Sequence, residues 1–150
     1  MMFEMVKLTA KHLEELIAEP KNMHLVSWLA TGHADELAKA DSVTGMVDGQ
    51  IMFCGGALPY WTGRAFIWGV FSERSKHHGI PVFRGIKKWI DERPYRRLEV
   101  DVPLDVWFTD VAKRRVRLLG FGLECERAKF YRSNGKDSAL YSLVKEHPNV

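Results

Sequence analysis

The stretch from Val43 to Phe71 constrains this chain more than any other, because its hydrophobic period is two and its breaks are glycine turns. Val43 to Val47, the pair Asp48-Gly49, then Ile51 to Leu58 reads as a β-hairpin, since Asp-Gly supplies the positive φ angles that a two-residue hairpin loop requires. Thr62-Gly63 makes a second turn. Ala65 to Phe71, rich in β-branched and aromatic residues, is then a third consecutive strand.

On both sides of this block the period lengthens. Met5 to Leu8 is a short apolar piece, after which Thr9 caps a helix whose Leu13, Leu16 and Ile17 share one face. Pro20 suits the first turn of a second helix carrying Met23, Val26 and Leu29 or Trp28, and a short helical stretch follows around Asp35 to Ala40. Gly79 to Arg93 is helical, with Val82 or Phe83, Ile86, Trp89 and Ile90 at three-to-four spacing and Arg84, Lys87 and Lys88 mostly opposite; Pro94 closes it. Arg97 to Val102 alternates as a strand up to Pro103. Phe108, Ala112, Val116 and Leu119 give another amphipathic helix, ended by Gly120 where a left-handed cap is wanted. Phe121 to Tyr131 and Ala139 to Val144 are strands joined across the turn Ser133-Asn134-Gly135-Lys136. The predicted order is β-α-α-β-β-β-α-β-α-β-β, an α+β chain.

With 150 residues, 46% of them hydrophobic and spread over the full length without repeats or linkers, the chain reads as one domain spanning residues 1–150. No run approaches the length of a membrane span and the first residues lack the order of a secretory signal, so a cytoplasmic protein without a membrane partner is expected. Cys54 and Cys125 are then expected as reduced thiols. A net charge of +3, from 22 Lys+Arg against 19 Asp+Glu, is too small an excess to predict a nucleic-acid protein by itself.

Charge placement says more than the sum. Arg74, Lys76, Arg84, Lys87, Lys88, Arg93, Arg96 and Arg97 stand within one segment against only Asp91 and Glu92. Lys113, Arg114, Arg115 and Arg117 form a second cluster on the next helix. The polar Ser72–Gly79 connection runs from a strand into a helix N-terminus, where unpaired N–H groups and the positive dipole end favour an anion. A phosphate-bearing ligand is suggested there; a solvated basic helix face is the alternative.

The run Thr109-Asp110-Val111-Ala112-Lys113-Arg114-Arg115-Val116-Arg117-Leu118-Leu119-Gly120-Phe121 resembles the GNAT-superfamily N-acetyltransferase motif in which a helix with an early Ala ends in Leu-Gly-Phe. The whole order of elements agrees, and Val47 to Gly56 looks like the family's second hairpin, with glycine late in its second strand. The resemblance implies a GNAT-like fold, a strongly twisted, mostly antiparallel central sheet flanked by helices. It also implies acetyl-coenzyme A as cofactor, lying where the fourth strand splays from the fifth, with an amine of a small molecule or protein as acceptor. Val70, Phe71 and Ser72 would then face the pantetheine arm, Lys76, His77, His78, Gly79 and Ile80 would occupy the pyrophosphate loop, and Thr109 would stand at a cofactor-contacting position. His77 occupies a place the family usually gives to glycine, Pro81 one given to a small residue, and Val116 the place of the tyrosine that protonates the leaving thiolate.

For the general base the candidates are Glu73, Glu99 and Asp101, each also compatible with an ion pair to neighbouring arginines. Tyr131 or Tyr141 are candidates for the missing acid, against a core role. His77-His78 lacks a third ligand at zinc spacing, so no metal is expected, and Cys54 has no activating base near it in sequence. Trp61, Trp68, Trp89 and Trp107 lie beside basic clusters, as stacking platforms for single-stranded nucleic acid would, but their periodicity assigns most of them to the core, and nucleic-acid binding by the two basic helices is an outlying reading. His24, His33 and Tyr60 suit acceptor recognition as well as packing, and edge strands of this architecture offer a homodimer contact. The degenerate loop also gives the chain the character of the acetyltransferase-like proteins of tailed bacteriophages. A non-catalytic, virion-associated or assembly protein with a protein partner is therefore the second reading beside the transferase.

Overall fold

The computed structural model describes residues 2–146. Its strands are β1 (Phe3–Lys7), β2 (Asp41–Val47), β3 (Gln50–Trp61), β4 (Arg64–Phe71), β5 (Arg97–Pro103), β6 (Gly122–Ala128) and β7 (Ser138–Val144). Its α-helices are α1 (Ala10–Ile17), α2 (Ser27–Ala30), α3 (His33–Lys39), α4 (Gly79–Asp91) and α5 (Thr109–Leu118), with 3-10 turns at Pro20–Leu25 and Glu73–His77. The strands form one seven-stranded sheet in the order β1-β2-β3-β4-β5-β7-β6. The β1–β2, β2–β3, β5–β7 and β6–β7 ladders are antiparallel. A parallel ladder joins β4 to β5 through Arg64–Arg97, Ala65–Leu98 and Phe66–Glu99. This is the mostly antiparallel α+β architecture expected from the order of elements. No helix of the described residues is long and apolar enough to cross a membrane.

The chain divides into two compact units, one holding residues up to Leu58 with Ile67–Lys88, the other Pro59–Phe66 with the residues from Trp89 on. In the first unit the hairpin turn forms as Asp-Gly dictates, with Asp48 at φ 49° and Gly49 at φ 79°. Thr9 caps α1 by accepting from His12 N, and Leu13, Leu16 and Ile17 are buried on its inner face. Phe71 at the end of β4 stacks between Phe53 and Phe83 of α4, with centroid separations of 5.9 and 5.8 Å, which fixes strand to helix across the loop that joins them.

The expected second helix does not form as one element. Met23 and Val26 are 54% and 53% exposed and cover no core. The buried residue of this segment is Asn22, whose Nδ2 donates to the carbonyls of Leu16 and Phe71, both at 3.0 Å. That pair of bonds ties the chain down as a tight 3-10 turn, and a continuous α-helix yields to it.

In the second unit β5 pairs with β7 from Arg97–Val144 to Pro103–Ser138, over a core of Leu98, Val102, Val116, Leu119, Phe121 and Tyr141. Gly120 takes the left-handed conformation (φ 98°) and Phe121 N closes α5 onto Val116 O at 3.1 Å. Strand β6 stops at Ala128, short of the expected Tyr131, because Phe130 turns left-handed and donates its N–H to Asp137 Oδ1 at 2.9 Å.

Candidate functional site

Strand β4 leaves the sheet at Ser72, where Ser72 N still donates to Met52 O at 2.8 Å. Both oxygens of the Glu19 carboxylate then hold the loop: Ser72 Oγ and Glu73 N donate to them, each at 2.8 Å. Ser72 Oγ in turn accepts from Arg74 N, and Ser75 donates both N–H and Oγ–H to Ser72 O. Ser72 and Ser75 are buried, so the loop is built inward on a polar staple supplied by Glu19 and Asn22.

What this presents outward is the first turn of α4. Pro81 carries no N–H and Val82 N is bonded to His78 O at 3.2 Å. Among the described residues none accepts from Gly79 N or Ile80 N, so these two amides point a helix N-terminus at open solvent. A Cβ placed on Gly79 would meet nothing within 4 Å, which leaves a bare cradle over those amides. Lys76 and His77 are exposed at its rim, but Lys76 is already paired with Glu73 at 2.9 Å, as is Lys21 at 2.8 Å. The basic character read along the sequence is therefore largely balanced in space, with Arg74 also turned to Glu15 at 3.6 Å.

The second unit carries the other polar cluster. Arg64 grips Glu99 through Nε and Nη2 at 2.6 and 2.8 Å, and its guanidinium lies 4.5 Å from the ring centroids of both Tyr60 and Trp61. Arg97 bridges Glu99 and Glu124. Asp101 accepts from Arg132 and from Ser138 Oγ. The Arg64 and Arg97 guanidiniums hold the Glu99 carboxyl below the usual range. Burial, reinforced by the Asp101 and Glu99 charges, pushes the Tyr131 phenol up; burial and Glu99 do the same to Tyr60.

Val70, Phe71, Ser72, Glu73, Lys76, His77, His78, Gly79 and Ile80 thus belong to the first unit, and Glu99, Asp101, Tyr60, Tyr131 and Thr109 to the second. Thr109 is engaged locally, donating to Pro103 O and accepting from Val106 N. Cys54 is buried, bonded to Thr44, and burial pushes its thiol up to about 12, which leaves no nucleophile there. Trp68 and Trp89 are core residues, whereas Trp61 and Trp107 are 61% and 64% exposed. The Tyr141 hydroxyl is buried without a hydrogen-bond partner among the described residues. Glu19 and Asn22, which shape the loop, carry no sequence signal that links them to it.

The carboxylates give a pH signature. Hydrogen bonds from Lys21 and Lys76 hold Glu73 at about 2, and those from Arg97 and Ser142 hold Glu124 at about 2, against an ordinary value of 4.5. Because the unfolded chain takes up these protons first, the stabilisation is complete above pH 4.5 and is lost as pH falls toward 2. Both side chains are about two-fifths or more exposed, so solvent screening holds the pair to about 1 kcal/mol together. Urea unfolding at pH 6 and pH 3 is expected to show this loss, and the double variant Glu73→Gln, Glu124→Gln to show less of it; an equal loss in the variant would contradict the assignment.

No protein-family model and no curated protein matches the chain. Solved structures do. A GNAT-family acetyltransferase from Bacillus anthracis is similar at 13% identity and a TM-score of 0.70, over 97% of this chain and 96% of that one. The ribosomal-protein-S18-alanine N-acetyltransferase from Escherichia coli is similar at 12% identity and a TM-score of 0.70, over 99% and 97%. A ribosomal L7/L12 alpha-N-protein acetyltransferase in complex with coenzyme A is similar at 15% identity and a TM-score of 0.70, over 95% and 93%. At such identities the likeness carries the fold; what the chain does has to be argued from its own residues.

Proposed function

We propose that the chain is an N-acetyltransferase of the GNAT type, using acetyl-coenzyme A as donor and an amine as acceptor. The observation that carries this reading is the Gly79 cradle: two amides, Gly79 N and Ile80 N, without a partner among the described residues, at the start of a thirteen-residue helix where an added Cβ on Gly79 meets nothing within 4 Å. A diphosphate fits that chemistry, because it is anionic and each of its oxygens accepts from N–H. The neighbours of the same fold include proteins in complex with coenzyme A and with acetyl-CoA, which supports the same ligand class here.

In this reading Gly79 and Ile80 hold the diphosphate through their amides and Ser72 fixes the loop that aims them. Lys76 and His77 lie at the rim. When bound, the cofactor supplies an acetyl thioester. Of the three candidate bases Asp101 is the least neutralised, since Glu73 is held by two lysines and Glu99 by two arginines, whereas Asp101 faces one arginine and a serine hydroxyl.

A thermal-shift titration tests the reading. A ligand that binds only the folded state at 100 times its Kd adds about 2.7 kcal/mol, so acetyl-coenzyme A should raise the melting temperature by several degrees while acetyl-pantetheine, which lacks the diphosphate, should not. No shift at millimolar acetyl-coenzyme A would leave the alternative, a non-catalytic scaffold that works through a protein partner, as in bacteriophage assembly.

A further inference from the structure

Helix α5 carries an unbalanced charge that the transferase reading does not use. Lys113, Arg114, Arg117, Asp110 and Leu118 line a surface groove of about 560 Å³ on its outer face. Among the described residues none of Lys113, Arg114 and Arg117 has an ion-pair or hydrogen-bond partner. In the same unit Arg64, Arg97, Arg127 and Arg132 are by contrast each paired with carboxylates. A cation in the last turn, such as Arg117, gains from the helix dipole. Lys113 and Arg114 stand mid-helix and do not, and Lys113 and Arg117 repel one another as an i,i+4 pair of like charge. Asp110, three and four residues before Lys113 and Arg114, favours those two along the helix, so local stability accounts for only part of the cluster and leaves a net positive face.

We infer that this face of α5 binds the phosphate backbone of single-stranded nucleic acid. Three flexible cations around an open groove, with Leu118 as its one apolar lining residue, suit a repeating anion. Protein-binding surfaces are depleted in lysine and centre on apolar anchors, whereas nucleic-acid surfaces are strongly cationic. Trp107, outside the groove lining and two residues before the helix, is 64% exposed and edge-on to Phe108 at 5.2 Å, an aromatic surface of the kind on which bases stack. The overall charge of +3 hides this cluster because pairing elsewhere absorbs most other arginines.

The proposal stands independently of the transferase reading and is tested on the full chain by fluorescence anisotropy with a labelled twelve-nucleotide oligouridine. Three phosphate contacts give a slope of log affinity against log salt of roughly −2, so affinity should fall about 20-fold between 50 and 200 mM salt. The triple variant Lys113→Gln, Arg114→Gln, Arg117→Gln, checked for an unchanged melting temperature, should bind at least about tenfold more weakly with a flattened slope. Arg84→Gln on α4 should bind as the parent does. Trp107→Ala should weaken binding with the slope unchanged. Absent binding at 50 mM salt, a triple variant that binds normally, an equal loss in Arg84→Gln, an unchanged Trp107→Ala, or polyglutamate binding as tightly as the oligonucleotide would each overturn it.

Discussion

Glu19→Ala is expected to destabilise the protein by about 3 kcal/mol, because two charge-assisted hydrogen bonds vanish and a buried donor is left behind. Glu19 is the only described side chain that receives both Ser72 Oγ–H and Glu73 N–H, at 2.8 Å each. Ser72 is 2% exposed, so water cannot replace the lost acceptor without opening the loop. For a chain of this length the loss corresponds to a drop of about 10 °C in melting temperature. Glu19→Gln should recover about half, since its amide offers one oxygen where two donors converge and turns an NH₂ group toward the other. The same change should weaken acetyl-coenzyme A in the transferase reading, because the Gly79 and Ile80 amides are aimed by the loop that Glu19 secures. Urea unfolding of both variants and a cofactor titration of Glu19→Gln, the better folded, check the two parts. A loss below about 1 kcal/mol in Glu19→Ala would mean that the loop holds its shape by other means.

That staple explains why the fold could be read further than the site. Turns announce themselves locally: Asp48-Gly49, Gly120 and Gly135 all adopt the positive φ that their neighbours in sequence call for. Helix faces do so as well, as with Val82, Ile86 and Ile90 in α4, all buried. The partners of the strand-to-helix loop are remote instead. Glu19 meets Ser72 and Glu73 across separations of 53 and 54 residues, and Asn22 meets Phe71 across 49, distances over which residue type and spacing carry no information. The charge reading missed partners for two reasons, since Glu73 lies just before the counted segment and Glu15 lies far from it in sequence. Counting along the chain set Lys76 and Arg74 against Asp91 and Glu92, whereas in space Lys76 faces Glu73 and Arg74 faces Glu15. Pro20 is another case: it does open a helical turn, but the bonds of Asn22 decide that the turn is 3-10 and leave Met23 and Val26 in solvent. The anion site of the transferase reading rests on backbone amides, and its one legible sequence mark is Gly79.

Gly79→Ala is therefore the substitution expected to separate stability from cofactor binding, with opposite signs. Gly79 lies at the first position of α4 outside the left-handed region, and an added methyl meets nothing within 4 Å, so the folded chain accepts alanine without strain. Alanine restricts the unfolded chain and favours the helix, and the variant should gain up to about 1 kcal/mol. The methyl is not neutral toward a ligand. Cα–Cβ bonds tilt toward the helix N-terminus, which places it over the Gly79 and Ile80 amides where an anion must approach to hydrogen-bond distance. Charge-assisted bonds to a diphosphate are worth about 1.5–3 kcal/mol each, so blocking them should cost about 100-fold in acetyl-coenzyme A affinity. A merely structural glycine would behave otherwise: alanine would then leave affinity unchanged while stability moved. Calorimetric titration alongside thermal unfolding distinguishes the cases, and a variant both more stable and equally tight for acetyl-coenzyme A would remove the cradle from the transferase reading.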